Sequence, residues 1–298
     1  MSSSTLADAG GGAGRRRIGG PGGIVRDGSR GASPIAGRIH SSAVIDKRAE
    51  LDTSVEVGPG AVIGPDVKIG AGSVVGPCAM IERNTTIGER NRIWQFAAIG
   101  AEPQDLKFKG EPSVVEIGDD NMIREFATIH RGTKGGGMIT KIGSHTLVMT
   151  YAHVAHDCII GDYAILAACT GLAGHCVIEE YAICEGQVGV HQFSRIGTHA
   201  IVAAGAKVAQ DVPPYSMVAG TERARLAGVN EVGLQRRGFK PETIAALKSA
   251  IRTLFFSKML REEAVKQVLD EYGTVAEVVR LVDFINSSKR GVVGRERE

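Results

Sequence analysis

The sequence predicts an all-β solenoid, a parallel β-helix of hexapeptide repeats, followed by a small C-terminal α-helical domain. Three observations carry that prediction. Aliphatic residues fall every six positions without a miss from Ile39 to Ile99, and again from Ile142 to Val208 with Cys184 the only exception. A period of six is neither the helical 3.6 nor the strand period of two, and three hexads make one coil of a solenoid. The period then changes to helical from about Ala224.

Taken in order, residues 1–36 are rich in Gly, Ser and Arg and have no apolar period, so they form a disordered extension that cannot build a core. They lack the apolar stretch of a secretory signal. Arg15, Arg16, Arg17, Arg26 and Arg30 against Asp8 and Asp27 leave an organelle transit peptide open. The solenoid occupies residues 37–220. Its first block places Gly58, Gly64, Gly70, Gly76, Gly88 and Gly100 directly after inward positions. Each coil stacks on the next, so stability accumulates along the axis. The phase breaks at 101–116 and at the Gly-rich 131–141, and loops leaving a rigid solenoid serve binding or assembly. Pro213 and Pro214 end the strand pattern.

Residues 221–298 form the helical domain. Pro241 suits the first position of a helix carrying Ile244, Leu247, Ile251, Leu254 and Phe255 on one face. After Gly273, Thr274 and Glu277 are spaced as a capping box for a helix with Val275, Val278, Val279, Val282 and Ile285. These helices are expected to cap one end of the solenoid, and the tail from Ser287 to fray.

Composition narrows the function. A formal net charge of +2 over 298 residues argues against nucleic acid as a partner. The high glycine count of 40 and the 5% aromatic content fit a tightly cornered coil. Cys78, Cys158, Cys169, Cys176 and Cys184 form no CxxC pair, which argues against a disulfide framework or zinc ribbon. Cys158 and Cys176, 18 apart, read as small stacked core residues. No stretch of 18 apolar residues exists to span a membrane. The expected location is cytoplasmic, or an organelle if residues 1–36 are a transit peptide.

The segment 147–193 holds His153, His156, His175 and His191. Residues 18 apart lie above one another at the roughly 4.8 Å spacing of paired strands. His156, Gly174 and Gln192 therefore share one column, and Asp157 and His175 the next. A histidine supported by a carboxylate is a general base at neutral pH. The Gly174 N–H, one coil away, is a candidate oxyanion donor. With no Ser or Cys nucleophile placed by motif, base and donor point to direct acyl transfer to a hydroxyl. The residues alone leave two other readings open, structural histidines and a three-histidine zinc site.

The segments EPQDLKFKGEPSVVEIG (102–118), ATIHRGT (127–133), AHVAHDC (152–158), LAGHCVIEE (172–180), VGVHQFSRIG (188–197), KVAQDVPPY (207–215) and GVNEVGLQRRGF (228–239) resemble the UDP-N-acetylglucosamine 3-O-acyltransferases of lipid A biosynthesis. The likeness covers about residues 38–285. It implies a left-handed β-helix and a homotrimer with active sites between subunits. It implies transfer of a 3-hydroxyacyl group from acyl carrier protein to the 3-hydroxyl of UDP-N-acetylglucosamine, the first step of lipid A biosynthesis. No metal or small-molecule cofactor is implied. His156 matches the general base, Asp157 its supporting acid, and Gly174 the oxyanion amide. His153, His175, His191 and Gln192 match positions contacting sugar and acyl chain. Gln104, Asp105 and Lys107 match the loop that meets both. Asn230, Arg236 and Arg237 match the nucleotide and phosphate side, where arginine suits bidentate contacts. Ala204 stands where long-chain family members have glycine at the end of the acyl pocket, so it is the expected chain-length ruler. Segment 221–227 is one residue longer than the family pattern. Two rivals remain. The paralogous UDP-3-O-acylglucosamine N-acyltransferase carries an N-terminal uridine-binding domain, for which residues 1–36 are too short. A γ-type carbonic anhydrase would bind zinc through three histidines, which His153, His156 and His175 mimic, but has no need of the QDLK loop or RRGF segment.

Overall fold

The computed structural model describes residues 38–294. The leader and its transit-peptide reading lie outside the described residues. Three parallel sheets form the faces of a triangular solenoid. Face 1 opens with Val44–Ile45, face 2 with Glu50–Leu51 and face 3 with Glu56–Val57, and the chain returns to face 1 at Val62–Ile63. The coil is left-handed.

Most strands are two residues long, one side chain inward and one outward, which is what a hexad demands. Ile45 pairs with Ile63 and Ile63 with Ile81, an 18-residue step. The inward column from Val57 to Val208 is buried throughout, including Cys184. Cys158 and Cys176 are buried free thiols, as their stacking predicted. At the N-terminal end of the described residues Ile39 is half exposed.

From Gly60 onward most corners turn through a residue in the left-handed region, and many of these are not glycine. Asp157, His175 and Tyr181 have φ of 60°, 61° and 60°. That conformation costs a side chain about 1–2 kcal/mol. Stacking at the coil spacing offsets it. His145, Tyr163, Tyr181 and His199 form a continuous ladder between faces 2 and 3, with ring centroids 4.7, 4.7 and 4.6 Å apart.

We number the corners as the chain meets them: the first joins faces 1 and 2, the second faces 2 and 3, the third faces 3 and 1. Both phase breaks are insertions at the first corner. Ile99 pairs with Ile129 and Ile129 with Val154, steps of 30 and 25 residues. The surplus over 18 is 12 and 7 residues, and it emerges between strands Ala98–Ala101 and Val114–Ile117, then between Thr128–His130 and Ile139–Ile142.

The solenoid continues past the prolines to Ser216–Ala219, which pairs parallel with Ile201–Val202. The helical domain was expected from residue 221, but Arg225–Val229 is a strand, antiparallel to Ser216–Ala219. Gly228, at φ 144°, supplies a backbone conformation at its irregular register that other residues rarely adopt. Helices follow as α1 (Glu231–Arg236), α2 (Pro241–Ile251), α3 (Arg261–Tyr272) and α4 (Ala276–Ser287). Leu234, Leu247, Ile251, Val268, Val278, Leu281 and Val282 join the solenoid core, so the helices cap its C-terminal end. The expected capping box is absent: Val275 is the N-cap of α4, with no side-chain cap. Nor does the tail fray at once. Ser288 donates to Asp211, the Asp211 N–H donates to the Gly291 carbonyl, and the Val293 N–H donates to the Asp211 carbonyl. No helix among the described residues is long and apolar enough to cross a membrane.

Candidate active site at the first corner

Every histidine column predicted from the sequence falls on the first corner. His156 and Asp157 lie between strands His153–Val154 and Ile159–Ile160, and Gly174 and His175 between Gly171–Leu172 and Val177–Ile178. His191 and Gln192 follow between Gly189–Val190 and Arg195–Ile196. Gln104, Asp105 and Lys107 stand on the 12-residue insertion at the same corner.

His156 and Asp157 are buried, and His156 Nδ1 lies 2.8 Å from Asp157 Oδ2. The carboxylate accepts there, so Nδ1 carries the hydrogen and Nε2 is left with its lone pair. Asp157 is held on its other side by Thr133, whose backbone N–H donates to Oδ1 at 2.8 Å and whose hydroxyl donates to Oδ2 at 2.6 Å. The Asp157 N–H donates to Thr140 Oγ1. The glycines around it are explained by that closeness. A methyl on Gly132 would stand 2.8 Å from Asp157 Oδ1, and one on Gly136 would overlap the carboxyl.

Gly174 lies against the His156 ring, where an added methyl would stand 2.6 Å from Nε2. Its N–H meets no acceptor among the described residues. The free nitrogen of the imidazole and a free backbone donor are therefore neighbours. His175 meets His156 edge-on, centroids 5.1 Å apart, and stacks on Phe193 at 4.4 Å. Burial holds the His175 imidazole below its ordinary pKa, against the opposing pull of Asp157 and, more weakly, of Asp105. In the inserted loop Asp105 Oδ1 accepts from the Lys107 N–H, Gln104 and Lys107 are exposed, and Leu106 at the tip is wholly exposed.

His153 turns elsewhere. Its Nδ1 lies 2.7 Å from Thr128 Oγ1, and its ring meets His130 edge-on at 5.0 Å. Burial lowers its pKa, with His156 adding to the effect, and burial drives buried His130 down to about 4. Among the described residues, His156, Asp157 and His175 bring three potential ligand atoms together within one chain. His191 is exposed, with Arg290 3.2 Å from its Nδ1.

The nucleotide-side residues sit apart. Asn230 caps α1 by accepting from the Gly233 N–H and donates to the His199 carbonyl at 2.9 Å, which ties the helices to the second corner. Arg237 lies over the Tyr181 ring, 4.4 Å from its centroid, also at the second corner. Exposed Arg236 has no carboxylate partner among the described residues. Ala204 follows strand Ile201–Val202 at the third corner, its N–H donating to Glu185 Oε2. Sequence reasoning missed Thr133, Thr128, His130 and Arg290. The Gly-rich break at 131–141 was the signal for Thr133.

A hexapeptide solenoid bearing a histidine–aspartate dyad on one corner defines a class, the hexapeptide-repeat transferases, and residues 139–174 match the bacterial transferase hexapeptide (six repeats) model. Residues 211–293 match the UDP-N-acetylglucosamine O-acyltransferase, domain 2. An acyl-[acyl-carrier-protein]–UDP-N-acetylglucosamine O-acyltransferase of Herminiimonas arsenicoxydans is 49% identical over 259 residues, covering 86% of this chain and 98% of its own. The one from Neisseria gonorrhoeae is 52% identical over 255 residues, with the same coverage. The solved UDP-N-acetylglucosamine O-acyltransferase of Moraxella catarrhalis is 43% identical with a TM-score of 0.83, covering 86% of this chain and 99% of that one. The Francisella novicida UDP-N-acetylglucosamine acyltransferase gives 39% and 0.80, covering 87% and 95%. The chain belongs to the acyl-[acyl-carrier-protein]–UDP-N-acetylglucosamine O-acyltransferase family, and it is an acyltransferase.

Proposed function

We propose that the protein transfers a 3-hydroxyacyl group from acyl carrier protein to the 3-hydroxyl of UDP-N-acetylglucosamine, with His156 as general base. The observation that carries this is the neighbouring pair of His156 Nε2 and the free Gly174 N–H. His156 Nε2 takes the proton of the sugar hydroxyl as its oxygen attacks the thioester carbon. The carbonyl electron pair moves to an oxyanion that accepts from the Gly174 N–H. Collapse of that intermediate expels the carrier's sulfur, which leaves as a thiol with the proton from His156. Asp157 keeps the Nδ1 hydrogen and supports the imidazolium formed in between.

Three observations support a homotrimer with composite sites. Arg237 and the dyad occupy different corners of one chain. The outer side of face 3 carries an in-register apolar ladder of Met122, Leu147, Ile165, Ile183, Ile201 and Met217. Leu106 projects fully from its loop. A second copy against that face would cover apolar surface and bring Arg236 and Arg237 to a neighbour's histidines. His153, His175, His191, Gln192 and the 104–107 loop then contact sugar and acyl chain, with Ala204 at the chain's far end.

The test is an acyl-transfer assay with UDP-N-acetylglucosamine and 3-hydroxyacyl carrier proteins of several lengths, with EDTA present. Product is expected in EDTA. No product with any chain length, with zinc co-purifying, would turn the reading toward a hydratase.

A further inference from the structure

We infer that Thr133 is a positioning residue: it clamps Asp157 so that His156 is held as a single tautomer facing Gly174. This rests on the acyltransferase reading above and assigns a residue outside the histidine columns to the same reaction.

Asp157 Oδ2 faces His156 Nδ1, and a carboxylate that could swing would release the ring. At φ 60° on a tight corner, its own backbone offers little restraint beyond the Thr140 contact. Thr133 supplies two donors from one residue, one to each carboxylate oxygen. With His156 the carboxylate accepts three hydrogen bonds while its side chain is fully buried. A buried carboxylate needs such partners to remain charged. Gly132 and Gly136 bracket Thr133 at places where any side chain would meet the Asp157 carboxyl, so the insertion closes around that group. Nothing in the hexad pattern requires this. The 7 surplus residues are absorbed by a loop that wraps the acid beside the base.

The test uses Thr133→Val, which removes the hydroxyl and keeps both shape and N–H, and Thr133→Ser, which restores the hydroxyl. Expected for Thr133→Val is a fall in kcat of about 10–100-fold, the range of a hydrogen bond to a charged group, with KM within about twofold. Thr133→Ser should recover most of that loss. In an Asp157→Ala background Thr133→Val should add nothing, because the residue acts through the acid. In substrate-free protein labelled with 15N-histidine, His156 should show one Nδ1–H tautomer in the wild type and in Thr133→Ser, and a mixture in Thr133→Val. The spectra need no turnover, so they decide the matter even if the transfer assay fails. A wild-type kcat in Thr133→Val, losses that multiply in the double variant, or an unchanged tautomer in Thr133→Val overturns the proposal.

Discussion

His156 Nδ1 and Asp157 Oδ2 are 2.8 Å apart, although the two residues are adjacent in sequence. Neighbours in a strand point to opposite faces, and the contact is possible only because Asp157 turns the corner at φ 60°. His156→Ala should lower kcat by about 10²–10⁴-fold, the usual contribution of a general base. Circular dichroism and melting temperature should stay near the wild type, since the inward column is untouched. Near-normal turnover in His156→Ala would remove the base assignment.

Gly174→Ala tests the position of the base. The new methyl would stand 2.6 Å from His156 Nε2, so the ring must move. The N–H remains, so any loss reports displacement of the imidazole. A shift of about 1 Å costs on the order of 100-fold in rate. Steady-state kinetics and a structure of the variant check it, and wild-type activity would show that the ring has slack.

Composite sites predict complementation. The His156→Ala and Arg237→Ala variants should each be weak. Mixed and reassembled, they should recover activity, because some sites then draw an intact dyad from one chain and an intact arginine from another. Refolded mixtures that stay as inactive as the parents would mean that each chain carries its own complete site.

Burial drives the His199 imidazole down to about 4, with the Arg237 charge adding to it. An unfolded histidine binds its proton near pH 6.5. Between pH 6.5 and about 4 the unfolded chain therefore holds more protons, and stability falls as the pH drops through that window; above it the contribution is constant. His130, also near 4, acts in the same direction. His199→Phe keeps an aromatic ring at a corner conformation that Phe96, Phe126 and Phe193 already adopt, and removes the titration. Melting temperatures from pH 7 to 4 should decline less steeply in His199→Phe. An identical slope would refute the assignment.

Ala204→Gly should shift the preferred 3-hydroxyacyl chain toward greater length. One methylene in an apolar pocket is worth about 1–3 kcal/mol, so the shift appears as changed ratios of kcat/KM across chain lengths. An unchanged profile would take Ala204 out of the acyl pocket.

The hexad positions were legible because inward residues are buried at every coil, and the 18-residue step converted that pattern into columns. His156 over Gly174 and Asp157 beside His175 were readable for this reason. What lay outside the period was not. Thr133 sits in a loop whose path depends on Asp157, 24 residues later. Arg225–Val229 is a strand only because Ser216–Ala219 offers it an edge. Thr274 matched a capping box, yet α4 begins after Val275, where packing of Val278 and Leu281 sets the start. The Asn230 side chain holds α1 and the second corner together, a long-range link that no sequence period marks.

The two insertions at the first corner have a consequence for how such a chain can vary. Adding one residue within a strand would turn every later inward side chain outward. Only whole coils, or residues extruded at a corner, leave the registration intact. Here both extrusions, of 12 and 7 residues, occur at the corner that carries the dyad. Length changes are thereby channelled to the side of the molecule that carries the His156–Asp157 pair, and they leave the scaffold as it was.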